Sequence, residues 1–366
     1  MRCGNCLFLN VILSLITAFG GCVAYVDIAL IRYVFILPFV LFLSMGKDIE
    51  RDRGTSGEPP QPQSMTRVFG KSAHRKDPSF REKWDAAVQK KNSVLCAGLD
   101  LSDFAMGREE GLGPDDNRRD WALAYINAVG PYAAALKVNQ QYWRGVGDGE
   151  ALQEIHRVAR ELELLVIEDA KLADIGSSND AGMFYAALRS DAVTLAPFAG
   201  NMEEAALQAK EHDLGLIVMC LMSNPEYARE KIKLVPIPPA DLSLYSAGDI
   251  VCIGETHYVR QFIQLARDAQ TFGLDGIVIG APSQDNHIAQ EEIRTVRTYV
   301  GPRMLVLLPG IGAQGGEAAS IWKHFDRESV IVNIGRALMF PKDGKTHAEA
   351  AQHYRDVLNE LRTQTD

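Results

Sequence analysis

The chain has 366 residues, of which 23% are charged and 47% are hydrophobic, and its formal net charge at pH 7 is -9. This balance is typical of a globular protein, and an acidic chain without a long basic run lacks the positive surface that binds nucleic acid. We therefore expect a folded protein without a nucleic-acid partner.

Residues 1–64 differ sharply in composition from the rest of the chain. Two strongly apolar runs, residues 7–25 and 33–43, precede a linker over residues 54–63 that is rich in Pro, Gly, Ser and Gln. The first run is about long enough to span a bilayer, so a membrane anchor is one interpretation. A cleaved signal peptide is a second interpretation, although it lacks a strongly basic start, and a mis-assigned start codon is the one we favour.

The main predicted domain covers residues 65–366. A cytoplasmic protein beginning near Met65 would need none of the apolar extension, and we expect membrane contact only if that extension is real. Three cysteines lie in apolar surroundings, which suits buried free thiols in a reducing compartment better than a disulfide framework. These three are Cys96, Cys220 and Cys252.

From about Ser93 onward, short apolar runs alternate with helical patterns. Eight strands with helices between them predict a (β/α)8 TIM barrel, an α/β fold in one domain. An open doubly wound sheet is the alternative, but the first strand is not followed by the Gly-x-Gly-x-x-Gly that such a sheet normally carries. The predicted strands are residues 94–99, 133–138, 164–167, 192–195, 214–221, 276–279, 304–308 and 330–334, and the predicted helices are residues 116–129, 150–162 and 202–211.

The third predicted strand ends in two carboxylates and an ammonium. Asp169 and Lys171 are two residues apart, so in an extended chain they point to the same side, while Asp174 falls in the loop that follows. Taken alone, such a pair is more often a solvated salt bridge than a catalytic group. However, the carboxyl ends of parallel strands are where α/β proteins place their chemistry.

Other predicted strands bring further polar groups to the same rim. Asp100 ends the first strand, Lys137 ends the second, and Ser223 follows the fifth. Lys137 lies inside an apolar run, where a buried strand has no structural need of an amine. Converging charges of alternating sign are costly to desolvate and are usually tolerated where a reaction requires them.

The last two strands carry the pattern of a phosphate site. Four glycines within residues 308–316 would let backbone N–H groups approach an anion closely. Gly335 and Arg336 follow the eighth strand and place a guanidinium where it can bind phosphate bidentately. Because the loops after strands seven and eight form the usual phosphate cradle of this barrel, we predict a phosphorylated ligand.

Together these motifs resemble those of the orotidine 5'-phosphate decarboxylases, most closely the longer bacterial subgroup, over roughly residues 93–339. The Asp-x-Lys-x-x-Asp-Ile signature at residues 169–175 is shared with sugar-phosphate enzymes of the wider superfamily, and the Met-Ser and Pro-Gly-Ile-Gly-x-Gln segments narrow the choice. The other matching segments are Gly98-Leu99-Asp100, Leu136-Lys137, Asp191-Ala192-Val193-Thr194, Met222-Ser223-Asn224-Pro225, Pro309-Gly310-Ile311-Gly312 and Gly335-Arg336.

The resemblance implies conversion of orotidine 5'-phosphate to uridine 5'-phosphate in pyrimidine biosynthesis. Lys171 would protonate C6 of the pyrimidine as carbon dioxide leaves, and Asp169 would face the substrate carboxylate. Lys137, with Asp100 and Asp174, would complete the charged network and bind ribose hydroxyls. The resemblance further implies a homodimer, in which Asp174 and Ile175 reach the neighbouring subunit's site.

The resemblance also implies contacts at the two ends of the substrate. Ser223 would hydrogen-bond to the pyrimidine edge, and the phosphate would be held by Gln314 and Arg336 beside two glycines, Gly312 and Gly335. Many relatives have Thr where Ser178 stands, and Ser retains the hydroxyl that a ribose contact needs.

Physical chemistry agrees with these roles. Loss of carbon dioxide leaves a carbanion at C6, which a fixed ammonium can stabilise and then protonate. We therefore expect no cofactor, and the scattered histidines predict no metal site. One alternative is a Mg-dependent sugar-phosphate decarboxylase or synthase of the same barrel superfamily, and another is a membrane-tethered phosphate-binding barrel without catalysis. Residues 222–254 are longer than a simple strand-to-helix connection. They suggest an ordered excursion of the chain that closes over the substrate.

Overall fold

The computed structural model describes residues 78–311, 318–342 and 344–364 of the chain. The apolar extension and linker predicted over residues 1–64 therefore lie outside the described residues. The strands are β1 Leu95–Leu99, β2 Ala135–Asn139, β3 Leu165–Leu172, β4 Ala192–Leu195, β5 Gly215–Leu221, β6 Leu234–Pro236, β7 Val251–Ile253, β8 Thr256–Arg260, β9 Gly276–Ile279, β10 Leu305–Pro309 and β11 Val330–Ile334.

Eight of these strands form a closed parallel barrel, in the order β1-β2-β3-β4-β5-β9-β10-β11 with β11 pairing back onto β1. All eight predicted strands are present, and the predicted (β/α)8 TIM barrel is confirmed. The strands are buried almost throughout, because helices cover their outer faces and side chains fill the interior. This double burial is why each strand appears in the sequence as a mainly apolar run.

The helices follow the strands in the alternation expected of this fold. The helices predicted over residues 116–129, 150–162 and 202–211 are the second, third and fifth helices. The second begins two residues later than predicted, and the third begins two residues earlier and ends one residue earlier. The helices are α1 Phe80–Lys91, α2 Arg118–Val129, α3 Asp148–Glu161, α4 Gly176–Ala187, α5 Met202–Glu211, α6 Tyr227–Glu230, α7 Gln261–Thr271, α8 Gln290–Tyr299, α9 Ala319–Trp322, α10 Arg336–Met339 and α11 His347–Gln364.

Helix α1 packs across the amino-terminal end of the barrel. Phe80 lies so close to Gly215, the first residue of β5, that a Cβ on Gly215 would stand 2.6 Å from the Phe80 side chain. The indole of Trp84 is fully buried and donates to the carbonyl of Glu328 at 2.7 Å, just before β11. With one end of the barrel closed in this way, the carboxyl ends of the strands form the opposite, accessible rim.

The long connection after β5 contains a small antiparallel sheet of strands β6, β8 and β7. It packs against the outer helices: Arg267 of α7 pairs with Asp241 at 3.3 Å, and the Tyr299 hydroxyl of α8 donates to Asp249 at 2.8 Å. The predicted excursion is therefore an ordered element, and its role as a lid stays a prediction. Within the described ranges, no helix is long and apolar enough to cross a membrane.

Candidate active site

A chain of alternating charges lies at the carboxyl ends of β1, β2 and β3. The Lys137 ammonium is 2.6 Å from Asp169 Oδ2 and 3.6 Å from Asp100 Oδ1. The Lys171 ammonium is 2.6 Å from the other oxygen of Asp169, Oδ1. Asp169 thus bridges two lysines, and the four side chains predicted to converge at these strand ends do so.

Strand register explains this convergence. Gly98 of β1 pairs with Lys137 of β2, and Asn139 pairs with Asp169 of β3, so inward-facing positions of neighbouring strands stand side by side. Gly98 has no side chain at this point, and a Cβ there would lie 2.9 Å from Gly335 Cα. The glycine thus lets the residue that follows β11 approach β1 closely, beside Lys137.

Glu168, the residue before Asp169, points to the opposite face of β3 and anchors the strand on that side. Glu168 is buried and accepts two hydrogen bonds from the Arg189 guanidinium, both at 2.8 Å, and one from Ser190 Oγ at 3.1 Å. Such a bidentate pair has a fixed geometry. The Glu-Asp dipeptide therefore holds β3 to the turn between α4 and β4 on one side and presents a carboxylate to the cavity on the other.

Burial and neighbouring charges shift the pKa values of Lys137 and Asp169 in opposite directions. Burial disfavours the charged form of Lys137, yet Asp100 and Asp169 outweigh it and raise the pKa of Lys137 above its ordinary value. Burial also disfavours the Asp169 carboxylate, but the two lysine ammoniums outweigh this effect and hold its pKa well below the usual range. Both groups are consequently charged at neutral pH.

The charged chain forms one wall of a cavity at this rim. The wall across from it is largely apolar, and backbone of the segment after β10 and the guanidinium after β11 complete the cavity. A flat ring with polar edges suits such a space, because its faces can pack on apolar groups while its substituents bind the charged wall. The lining residues are Asp100, Lys137, Asn139, Asp169, Lys171, Thr194, Met219, Met222, Val278, Leu307, Pro309, Gly310, Ile311, Asn333, Gly335 and Arg336.

The described residues include part of the predicted phosphate-binding segments. Gly335 and Arg336 line the cavity, and the Arg336 guanidinium is half exposed, 3.9 Å from Glu110. Gly310 has a positive φ of 99°, a conformation that glycine adopts without strain. Gly312 and Gln314, the other predicted phosphate contacts, lie outside the described residues.

Four predicted residues are not among those that line the cavity in the described chain. Asp174 and Ile175 are exposed ahead of α4, and Ser178 is exposed in its first turn. Ser223 follows β5 and packs against Gly280, where a Cβ would stand 2.8 Å from the Ser223 hydroxyl. Their predicted contacts with substrate stay predictions.

Three polar residues of the cavity were not singled out from the sequence as site residues: Thr194, Asn139 and Asn333. Each occupies the last or next-to-last position of a barrel strand, so strand ends and inward-facing alternation together could have identified them. Thr194 is hydrogen-bonded to the charged chain, since its hydroxyl donates to Asp169 Oδ1 at 3.0 Å. The described residues contain no group of three or more His, Cys, Asp or Glu that could hold a metal ion.

A closed (β/α)8 barrel with an ion-pair chain and an arginine lining the cavity at its carboxyl rim defines a barrel enzyme. Comparison with known proteins is more specific. The family profile described as Orotidine 5'-phosphate decarboxylase / HUMPS family matches residues 93–235.

Curated relatives agree with that match over most of the chain. The orotidine 5'-phosphate decarboxylase of Polaromonas naphthalenivorans is 30% identical over 297 residues, covering 78% of this chain and 96% of that protein. The orotidine 5'-phosphate decarboxylase of Bordetella avium is 28% identical over 295 residues, covering 78% of this chain and all of the relative. The chain belongs to the orotidine 5'-phosphate decarboxylase family.

Solved structures support the fold. A putative orotidine-monophosphate-decarboxylase from Toxoplasma gondii has a TM-score of 0.63 at 21% identity, over 78% of this chain and 97% of that chain. The orotidine-monophosphate decarboxylase of Leishmania donovani has a TM-score of 0.58 at 21% identity, over 78% and 99%. At these identities the similarity concerns the barrel itself.

Proposed function

We propose that this enzyme is a carboxy-lyase that converts orotidine 5'-phosphate to uridine 5'-phosphate in pyrimidine biosynthesis, without a cofactor. The observation that carries the proposal is Asp169 bridging Lys137 and Lys171 at a cavity that Gly335 and Arg336 also line. Family membership supports the same substrate, because the curated relatives carry the name of this activity.

In this proposal Lys171 is the acid. Its ammonium lies at the cavity wall and is about one third exposed, so it can contact a bound pyrimidine. As carbon dioxide leaves, the electron pair of the breaking bond stays on C6, and the ammonium stabilises this charge before delivering a proton. The lysine is then neutral and regains its proton from solvent.

Asp169 has two functions in the proposed reaction. It fixes both ammoniums by accepting from each at 2.6 Å, and it faces the carboxylate of the substrate. The contact between two carboxylates is relieved when carbon dioxide departs. Because Lys137 and Lys171 hold the pKa of Asp169 low, the side chain stays charged when a second anion enters the cavity.

The remaining cavity residues bind and orient the substrate. Lys137 and Asp100 provide a donor and an acceptor for ribose hydroxyls, and Ser223 hydrogen-bonds to the pyrimidine edge. Arg336 and Gly335 bind the phosphate, together with Gly312 and Gln314. This remote binding energy positions C6 against the Lys171 ammonium, which is how non-reacting parts of a substrate accelerate a reaction.

The proposal includes a homodimer with shared sites. Exposed apolar side chains cluster around α4 and the turn after β4, which is the kind of surface that marks a protein interface. Asp174 lies at the edge of this surface, and in the dimer it and Ile175 contact the partner's substrate near Ser178. In these segments the exposed apolar residues are Ile175, Phe184, Tyr185, Leu188 and Phe198.

We also place the enzyme in the cytoplasm, with its catalytic domain over residues 65–366. Cys96 and Cys220 are buried free thiols as predicted, whereas Cys252 is a free thiol that lies exposed on β7, so its predicted burial is wrong. Free thiols are typical of a reducing compartment. Burial raises the pKa of Cys96 and Cys220 to about 12, so these two thiols are unreactive at neutral pH.

The test is the absorbance of orotidine 5'-phosphate, followed with the full chain and with a chain that begins at Met65, each with and without a chelator. We expect the same decay in all four samples, since the proposal needs neither metal nor extension. No decay at saturating substrate with the full chain would overturn the proposed function. Decay that a chelator abolishes would instead favour the Mg-dependent alternative.

A further inference from the structure

Thr194 links the two groups that the proposed reaction uses most directly. Its hydroxyl accepts from the backbone N–H of Lys171 at 2.9 Å and donates to Asp169 Oδ1 at 3.0 Å. A hydroxyl has one proton to donate, and here it goes to the carboxylate. Because Thr194 is 2% exposed, bulk water does not compete for either bond.

The backbone at this point departs from regular strand geometry. Glu168 pairs with Val193 and Leu172 pairs with Leu195, so four steps along β3 correspond to two steps along β4. The extra residues form a bulge that contains Asp169 and Lys171, and Thr194 stands directly opposite. Bulges of this kind re-aim side chains and are frequent beside active sites.

Lys171 itself has a left-handed backbone, with φ of +52°. Among the described residues, three other non-glycine residues have positive φ, and all three follow helices: Asn92, Glu163 and Asp213. Lys171 is thus unusual in lying within a strand. A lysine persists in this strained region when surrounding contacts hold it there, and the bond from its N–H to Thr194 is such a contact.

We propose that Thr194 is a positioning residue: its single hydroxyl holds Lys171 in the left-handed conformation and fixes Asp169 Oδ1, so that ammonium and carboxylate keep one mutual geometry. This inference rests on the proposed function. After Lys171 gives its proton to C6, the amine no longer attracts Asp169 as an ion. Thr194 and Lys137 then hold the carboxylate until the lysine is reprotonated.

Thr194→Val tests this role, because valine keeps the shape and removes the hydroxyl. We expect kcat to fall about 10- to 100-fold, the effect of a lost hydrogen bond to a charged group, while uridine 5'-phosphate binds within about threefold of the original affinity. Thr194→Ser restores the hydroxyl and should recover kcat to within about threefold. Thr298→Val is the matched control, since the exposed Thr298 hydroxyl bonds only to its own helix at Arg294.

Two results would overturn the inference: a Thr194→Val enzyme with unchanged kcat, or a parallel loss of kcat and product affinity that serine does not reverse. If the valine variant does not fold, Thr194→Ala replaces it in the same comparison. If the original enzyme proves inactive, the proposed function fails separately. A crystal structure of Thr194→Val then decides the inference: displacement of Asp169 and a changed φ at Lys171 support it, and unchanged positions refute it.

Discussion

At the scale of single residues, the site depends on two lysines that share one carboxylate but differ in environment. Lys137 is buried between Asp100 and Asp169, while Lys171 is partly exposed to the cavity. A buried ammonium between two carboxylates is suited to fixing a substrate and its neighbours. An ammonium with access to the ligand is suited to moving a proton.

Replacing Lys171 separates proton delivery from binding. We expect Lys171→Ala to lower kcat at least about 1,000-fold, because both the stabilising charge and the proton donor are lost. Isothermal titration should show uridine 5'-phosphate bound within about threefold of the original affinity, since Arg336 is untouched. The control Lys233→Ala removes an exposed lysine paired with Glu230 and should leave both quantities unchanged. Normal turnover by Lys171→Ala would show that the proton donor is another group.

Asp169 should make stability depend on pH in a defined direction. Its folded pKa lies below the unfolded value near 3.9, so it stabilises the fold fully above about pH 4 and loses this effect as pH falls further. We expect Asp169→Asn to cost about 3 kcal/mol in free energy of unfolding at pH 7, because Lys137 stays buried with a weaker partner.

Urea unfolding from pH 7 down to pH 3 measures this difference. The gap between the original enzyme and Asp169→Asn should be constant above about pH 4 and should narrow below it. The control Asp115→Asn changes an exposed carboxyl in a loop and should show no such gap. A gap that is absent at pH 7, or one that does not change with pH, would contradict the assigned ion pairs.

At the scale of elements, the sequence predicts those strands that are buried on both faces. Each barrel strand is an apolar run because helices cover one face and the interior fills the other, and all eight were identified on this basis. The sequence does not predict the sheet of β6, β7 and β8, because its strands are not buried on both faces. The bulge at Lys171 leaves no sequence signature, because lysine gives no sign of positive φ.

Packing between α1 and β5 provides a test at this scale. Gly215→Ala would place a Cβ 2.6 Å from the Phe80 side chain, so we expect about 1–3 kcal/mol of destabilisation and a lower Tm. The control Gly149→Ala adds a methyl in α3 where no heavy atom lies within 4 Å, and it should be neutral or stabilising. Both variants should keep their kcat at low temperature, because α1 closes the end of the barrel opposite the site. An unchanged Tm for Gly215→Ala would contradict this prediction, because it would show that the Phe80 side chain can shift without loss of stability.

At the scale of the whole molecule, only part of the Asp-x-Lys-x-x-Asp-Ile signature lines the cavity of its own chain. Asp169 and Lys171 line the cavity, whereas Asp174 and Ile175 of the same run are exposed beside an apolar surface. Sequence periodicity places residues on strands and loops, but it carries no information about a second copy. The proposed dimer would bring the two halves of the signature to one site.

Complementation tests the shared site. Lys171→Ala and Asp174→Ala chains should each be nearly inactive alone. After mild dissociation and mixing, about half of the dimers are hybrids with one intact site of two, so about one quarter of the original activity should return. A mixture of Lys171→Ala and Asp169→Ala should recover none, since both residues belong to one chain's half of the site. No recovery in the first mixture would contradict a shared site.

The most direct measurement of the central claim, decarboxylation with proton delivery to C6, follows the hydrogen that ends on C6. Lysine ammonium protons exchange with solvent, so turnover in heavy water should yield uridine 5'-phosphate with deuterium at C6 and one carbon dioxide per product, even with a chelator present. Proton NMR would show the C6 signal missing and the C5 signal reduced to a singlet. Turnover without deuterium at C6, or no turnover of orotidine 5'-phosphate, would contradict the account.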